Sequence, residues 1–99
     1  MSKPRSYKLF PKAKIDIEEI WVYTFENWSM SQADNYYQMI VNGFESLADG
    51  SKQGRKVDHV RPGYFRLSVG SHYIFYKESL TDIYVVRVLH RNMDSDRHL

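Results

Sequence analysis

The chain has no cysteine among its 99 residues, and it has only three prolines and five glycines. Without cysteine, disulfide bonds, thiolate chemistry and cysteine-based zinc sites are excluded. No run approaches the roughly 18 uncharged apolar residues of a membrane span, and no apolar secretory segment follows Met1. A chain of this length has room for one domain. We therefore expect residues 1–99 to form one soluble, cytoplasmic domain with no membrane partner.

An excess of charge of either sign is also missing. The chain carries 14 Lys and Arg against 12 Asp and Glu, a formal net charge of +2. Residues 1–50 hold five basic and seven acidic side chains, and residues 51–99 hold nine and five. This balance predicts a mildly basic patch on the second half. It does not indicate a protein that holds nucleic acid through bulk charge, and we expect no sequence-specific nucleic-acid binding.

Aromatic residues are abundant, at 15% of the chain. The pattern of the first half predicts a short strand followed by two amphipathic helices. Residues 6–10 alternate weakly and predict a strand that Pro11 ends. Residues 12–28 place apolar side chains at spacings of three and four, which predicts a helix. Ser29 and Gln32 fit the capping box of a second helix, which Gly50 ends. Because the turn between the helices is short, they are expected to form an antiparallel hairpin.

The second half of the chain predicts a loop over residues 49–63 and then a three-stranded meander. Gly70 and Ser71 favour a type II′ turn, which puts Phe65 opposite Tyr76, Leu67 opposite Ile74 and Val69 opposite His72 on the core face. In the last strand, residues 83–89, alternation predicts that Tyr84, Val86 and Val88 face the core, whereas Ile83, Val85, Arg87 and Leu89 face outward. Residues 90–99 are expected to form a polar tail.

The order of these elements predicts an α+β fold, β-α-α-β-β-β. The helical hairpin covers one face of a small, mostly antiparallel sheet. The other face is expected to stay partly open. It would carry an apolar surface that normally requires a partner, made of Tyr64, Tyr73, Phe75, Val85 and Leu89.

The residue pattern gives little support for metal or catalytic chemistry. The four histidines, at positions 59, 72, 90 and 98, include no pair spaced for one helix face, so no metal site is predicted. No phosphate-binding loop or nucleophile motif is present in the sequence. A group of basic residues remains, from the loop, the strands and the segment after them. On spacing alone, simple solvation of these residues is favoured, an acidic partner segment comes second and a phosphate backbone third.

Several local patterns resemble the ParE/RelE superfamily of bacterial type II toxins. The most specific pattern is at the end of the chain, where residues 85–90 end in Leu89-His90 and are followed by Met93-Asp94. The other matching patterns are Pro11-Lys12-Ala13 with Asp16-Ile17 and Ile20, Ala33 with Tyr36 or Tyr37, Ile40 with Leu47-Ala48, Arg66-Leu67 before Gly70, and Tyr73-Ile74 with Tyr76. The resemblance covers nearly the whole chain and implies the fold already predicted.

The resemblance also implies a function. A ParE-like toxin inhibits DNA gyrase by binding it, without catalysis or cofactor, and a ParD-like antitoxin neutralises it. The expected target-binding residues are Arg66, Arg87, His90, Arg91 and Met93. The expected antitoxin-binding residues are Ile15, Val22 and Phe25, which lie away from the main stripe of the first helix, with Tyr73, Phe75 and Val85 on the open sheet face.

A RelE-like mRNA interferase is the alternative, with Arg66, His90 and Arg91 as its catalytic residues. RelE-like enzymes commonly use a tyrosine or a similar acid–base group near the end of the chain, whereas no tyrosine follows Tyr84 here. This departure and the modest net charge favour the ParE-like activity. An inactive relative that only binds antitoxin is the third hypothesis.

Overall fold

In a computed structural model that describes residues 4–99, strand β1 (Ser6–Leu9) leads directly into helix α1 (Pro11–Asn27). Pro11 starts α1 because its fixed φ suits the first helical turn and its missing N–H needs no partner there. Ser29 then accepts a 3.1 Å hydrogen bond from the Gln32 amide and caps helix α2 (Met30–Asp49). Gly50, at φ 83°, follows the last turn of α2. The predicted helical hairpin is therefore confirmed, with bounds shifted by one or two residues.

The sheet has five strands in the order β1-β5-β4-β3-β2. Strands β3 (Phe65–Val69), β4 (His72–Glu78) and β5 (Asp82–His90) form the predicted antiparallel meander, and β1 joins β5 in parallel. The fifth strand, β2 (Arg55–Lys56), pairs with β3 inside the segment that was predicted to be an irregular loop.

The predicted register of the β3–β4 hairpin is confirmed at all three pairs, from Phe65–Tyr76 to Val69–His72. Gly70 has φ 56°, and no residue other than glycine has a positive φ in the described chain. A type II′ turn requires this combination at its two central positions.

The main core lies between the helices and the sheet. Helix α2 contributes Ile40, Phe44 and Leu47, each at most 1% exposed, and these pack against Ile74 and Tyr76 of β4. Helix α1 adds a narrower apolar stripe to the same cluster. None of the helices within residues 4–99 combines the length and the apolar character needed to cross a membrane.

A β-bulge reverses the predicted facing of the first half of β5. Tyr76 pairs with Val85 and Phe75 pairs with Arg87, so Val86 is left without a partner and the alternation restarts there. Ile83 and Val85 consequently point into the main core and are 0% exposed. The predictions that these two residues face outward, and that Tyr84 and Val86 are buried, are wrong.

The predicted open sheet face is also wrong, because a second small core covers much of it. Phe75 and Leu89 are 0% and 2% exposed, and they pack against Val57 from the segment before β3. Leu99, which follows the one-turn helix α3 (Ser95–His98), packs on the same cluster. The loop and the tail thus seal the apolar surface that was expected to await a partner.

Candidate functional site

A groove with a volume of about 940 Å³ runs between the helical hairpin and the outer edge of β5. It exists because β1 ends at Leu9, opposite Val85, so no described strand pairs with β5 beyond that point on this side. Its walls are largely apolar. Tyr23 and Trp28, 59% and 62% exposed, form one rim. Ile20, Met39 and Met93 continue this apolar lining.

A buried ion pair closes the end of the groove nearest β1. The Arg87 guanidinium donates from Nε and Nη2 to the two carboxylate oxygens of Asp16, at 2.7 and 2.8 Å. The same carboxylate accepts the Val88 amide at 2.9 Å and so caps the exposed edge of β5. The two hydrogen bonds that Arg87 donates to Asp16 raise the pKa of Arg87. Its Nη1 donates to the His98 carbonyl at 2.8 Å, which ties α1, β5 and the tail together.

A second polar cluster lies where the β3–β4 turn meets α2. The Tyr36 hydroxyl accepts from the Ser71 amide at 2.9 Å and shares a 2.6 Å hydrogen bond with His72 Nδ1. A Cβ at Gly70 would lie 2.7 Å from that hydroxyl oxygen, so only glycine fits here. Burial, and then the neighbouring His90, lower the pKa of His72 to about 4. The His72 ring is therefore neutral at physiological pH.

The structure brings together most, but not all, of the predicted target-binding residues. His90 and Met93 line the groove, and Arg91 is exposed next to them, with its amide bonded to Ser71. Arg87 borders the same groove, but its side chain is only 15% exposed and is bound to Asp16, so the prediction that it points outward to an open face is wrong. Arg66 stacks on Tyr73, on the sheet face away from the helices.

The predicted antitoxin-binding residues fall into two groups. Ile15, Val22 and Phe25 are 51%, 47% and 44% exposed on α1, as their helical phase predicted. Phe75 and Val85 are 0% exposed, so the prediction that they present a surface is wrong. Phe75 is sealed in the second core, and the bulge turns Val85 into the main core. The remaining residue, Tyr73, is half-buried beneath Arg66.

Sequence reasoning missed the aromatic rim of the groove. The apolar spacing over residues 12–28 puts Trp28 on the same helix face as Ile17 and Ile20, yet Trp28 is exposed because α1 ends at Asn27 and the chain turns there. Tyr23 lies on neither predicted stripe. The sequence did contain a signal for the exposure of Trp28. Ser29 caps the second helix, so the first helix must end before it and Trp28 cannot belong to the regular face of that helix.

Comparison with known proteins gives consistent results. Residues 7–95 match the family described as ParE toxin of type II toxin-antitoxin system, parDE. The chain is 43% identical over 96 residues to Toxin ParE1 of Mycobacterium tuberculosis, covering 94% of this chain and 96% of the relative. It is 33% identical over 95 residues to Toxin ParE1 of Caulobacter vibrioides, covering 96% and 98%.

Two solved structures share the fold. A chain of the chromosomal ParDE toxin–antitoxin system from P. aeruginosa superposes with a TM-score of 0.76 at 20% identity, over 87% of this chain and 95% of that one. A chain of the RelBE2 toxin–antitoxin complex from Mycobacterium tuberculosis gives 0.57 at 13% identity, over 90% and 100%.

Proposed function

We propose that this chain, which belongs to the ParE family of toxins of type II toxin–antitoxin systems, inhibits DNA gyrase by binding it and is neutralised by a cognate ParD-like antitoxin. The observation that carries the proposal is the groove, where an apolar wall meets His90 and Met93. A surface of this size and composition suits a macromolecular partner. The toxin would act in the cytoplasm, where gyrase handles the chromosome.

Inhibition by binding, rather than by cutting RNA, is supported by where the basic residues lie. Cleavage of a phosphodiester bond needs an acid, a base and a charge-stabilising group around one phosphate. Arg66 lies on one face of the sheet, whereas His90 makes an edge-to-face contact with His72 on the helix side. Because the sheet separates them, these two groups are poorly placed to act on the same phosphate.

The antitoxin is proposed to place the apolar side of an amphipathic segment in the groove. Such segments bind by inserting anchors spaced along one helix face into a hydrophobic channel. Met39 and Met93 suit this role because methionine side chains adapt to the shape of a partner. Ile15, Val22 and Phe25 would extend the contact over the outer side of α1.

This arrangement gives a mechanism for neutralisation. His90 and Met93 belong to the proposed gyrase-binding set and also line the groove, and Arg91 adjoins them. An antitoxin segment in the groove would therefore cover the groups that gyrase needs. Toxin bound to antitoxin and toxin bound to gyrase would exclude each other.

Two assays run in parallel test the activity. Purified protein is mixed with gyrase and supercoiled plasmid, and separately with programmed ribosomes. We expect linear DNA to accumulate covalently linked to gyrase, and mRNA to stay intact. Site-specific mRNA cutting with unaffected gyrase would establish the interferase instead. A protein inactive in both assays, and harmless when expressed, would be the antitoxin-binding relative.

Charge substitutions in the groove test the shared surface. Met39→Glu puts a carboxylate on the apolar wall, and we expect at least a tenfold loss of antitoxin affinity, about 1.4 kcal/mol. Met93→Glu should weaken both antitoxin and gyrase binding. Leu80→Glu is the matched control because Leu80 is 97% exposed and lies outside the groove. Equal affinities for all three variants would contradict the groove as the binding site.

A further inference from the structure

Three cations lie on the sheet face away from the helices, and we call Arg55, Arg66 and Lys77 the basic sheet face. Arg55 of β2 pairs directly with Arg66 of β3. Lys77 of β4 extends the same face, because it alternates with the core residue Tyr76. Within residues 4–99, none of the three cations forms an ion pair with a carboxylate, whereas Arg5, Lys8, Arg87 and Arg97 all do.

The fold fixes the two arginines side by side at a cost. Like charges directly opposite on neighbouring strands destabilise a sheet. The Gly54 amide nevertheless donates to the Tyr76 hydroxyl at 2.9 Å and fastens the chain just before Arg55. A Cβ on Gly54 would lie 2.6 Å from the Arg66 carbonyl oxygen, so glycine permits this close approach. The concentrated positive charge is thus built into the sheet.

Aromatic rings hold two of these cations against the sheet. The Arg66 guanidinium carbon lies 4.1 Å from the centre of the Tyr73 ring, and Lys77 Nζ lies 5.7 Å from that of Tyr64. Cation–π contacts of this kind orient a charge without neutralising it. The cations therefore cover the rings and remain available to an anion.

The composition of this face favours nucleic acid over protein. Protein interfaces depend on exposed apolar anchors near their centre. Here Phe75 and Leu89 are sealed beneath Val57 and Leu99, and the exposed apolar surface lies on the helix side of the molecule. Interfaces with nucleic acid are more polar and more positive than protein interfaces.

We propose that the basic sheet face binds the phosphate backbone of duplex DNA without reading its sequence. The choice of duplex DNA, as against another polyanion, rests on the proposed function, because gyrase holds a DNA duplex. The toxin would then contact gyrase through its groove side and the bound DNA through the opposite face. A weak contact suffices, since a DNA segment held next to a bound toxin has a high effective concentration.

Salt dependence gives this proposal a quantitative form. Three phosphate contacts predict that log Kobs falls with log salt at a slope of about −2.7. Binding should therefore weaken about 40-fold between about 50 and 200 mM salt. Loss of one contacting cation should reduce the slope by about 0.9.

The experiment measures fluorescence anisotropy of a short labelled DNA duplex, titrated with the full chain over a series of salt concentrations. We expect Arg55→Gln and Arg66→Gln each to flatten the slope by about 0.9, and Arg55→Lys to preserve it. Arg55 is exposed, so its variants test the surface even if loss of the Arg66–Tyr73 stack perturbs folding. Lys12→Gln on α1 carries the same charge change on the helix side and should leave the slope unaltered.

Three results would overturn the proposal. The first is that Arg55→Gln and Lys12→Gln change the salt slope of the wild type by equal amounts. The others are that the chain binds single-stranded RNA more tightly than the DNA duplex, or binds polyglutamate as tightly as the duplex at the same ionic strength. The gyrase cleavage assay on the same preparation separates this proposal from the first. Gyrase inhibition without DNA binding would overturn only the basic sheet face. DNA binding without gyrase inhibition would support the basic sheet face and overturn the gyrase proposal.

Discussion

The two faces of the sheet bury apolar side chains to a similar depth but expose different chemistry. The helix side covers the main core and leaves an apolar groove and an apolar stripe on α1 exposed. The opposite side covers its smaller core with the segment before β3 and with Leu99, and what it exposes is positive charge. The difference indicates that the two faces suit different partners.

An irregularity in one strand explains how so short a chain maintains two different surfaces. A bulge at Val86 lets β5 contribute Val85 to one core and Leu89 to the other. Arg87, next to the bulge, is then free to meet Asp16 at the edge of the sheet. The Asp16–Arg87 ion pair at the edge of the sheet joins the two faces without opening either core.

Phe75→Ala should have the largest effect on stability. Phe75 is 0% exposed, so its removal should lower the free energy of unfolding by about 3–5 kcal/mol, as for Phe44→Ala in the main core. Urea denaturation measures both variants, and Val22→Ala, on the exposed stripe, serves as the control. A loss below about 1 kcal/mol for Phe75→Ala would mean that the second face is open after all.

Asp16→Ala should have the next largest effect. It leaves the Arg87 guanidinium, 15% exposed, without its partner, and it removes the acceptor of the Val88 amide. We expect a loss of about 3 kcal/mol, because an unpaired, largely buried charge is costly. Glu26→Ala, at an exposed position of the same helix that does not contact Arg87, is the control. In a double-mutant cycle, Asp16→Ala with Arg87→Ala should cost less than the two single losses added together, and strict additivity would contradict the ion pair.

The His72 cluster predicts how stability depends on pH. The pKa of His72 is lowered from 6.5 to about 4 in the folded chain, so the unfolded chain binds more protons between these values. Stability should therefore fall as the pH drops from about 6.5 to about 4, by about 1–2 kcal/mol after allowance for solvent screening. The free energy of unfolding of the His72→Gln variant should not show this fall as the pH drops. His59→Gln, in the exposed loop, should keep it, and identical pH profiles for wild type and His72→Gln would contradict the assignment.

Arg55→Gln should have the smallest effect on stability. Relief of the repulsion between Arg55 and Arg66 should raise the free energy of unfolding by a few tenths of a kcal/mol, about 0.2–0.5. Thermal unfolding at low and high salt measures it, and added salt should remove the gain by screening. Arg55→Lys keeps the charge and is the control. A clear destabilisation by Arg55→Gln would show that Arg55 has an unrecognised partner.

Local signals in the sequence predicted the order of the elements and the β3–β4 register, because Gly70-Ser71 and Ser29 act within a few residues. Non-local events were missed. The bulge at Val86 results from the pairing of β4 with β5, and it inverted the facing of Val85. The sealing of Phe75 depends on Val57 and Leu99, which are distant in sequence and lie in segments without periodicity.

The candidate site was predicted in part for the same reason. His90 and Met93 were identified from a pattern next to the last strand, and they do line the groove. The partner of Arg87, Asp16, lies 71 residues away, so no local pattern shows that this arginine is already bound. Arg66 was grouped with His90 through the resemblance to RelE-like enzymes, whereas the alternation along the strands puts the two side chains on opposite faces of the sheet.

The most direct test of the central claim is a titration of the toxin against a fixed amount of gyrase, with the accumulation of gyrase-linked linear DNA as the readout. A toxin that acts by binding should reach full effect at a fixed molar ratio to gyrase, and added antitoxin should reverse the effect in proportion to its amount. An effect that keeps growing with time when gyrase is in large excess over toxin would reveal turnover and contradict inhibition by binding.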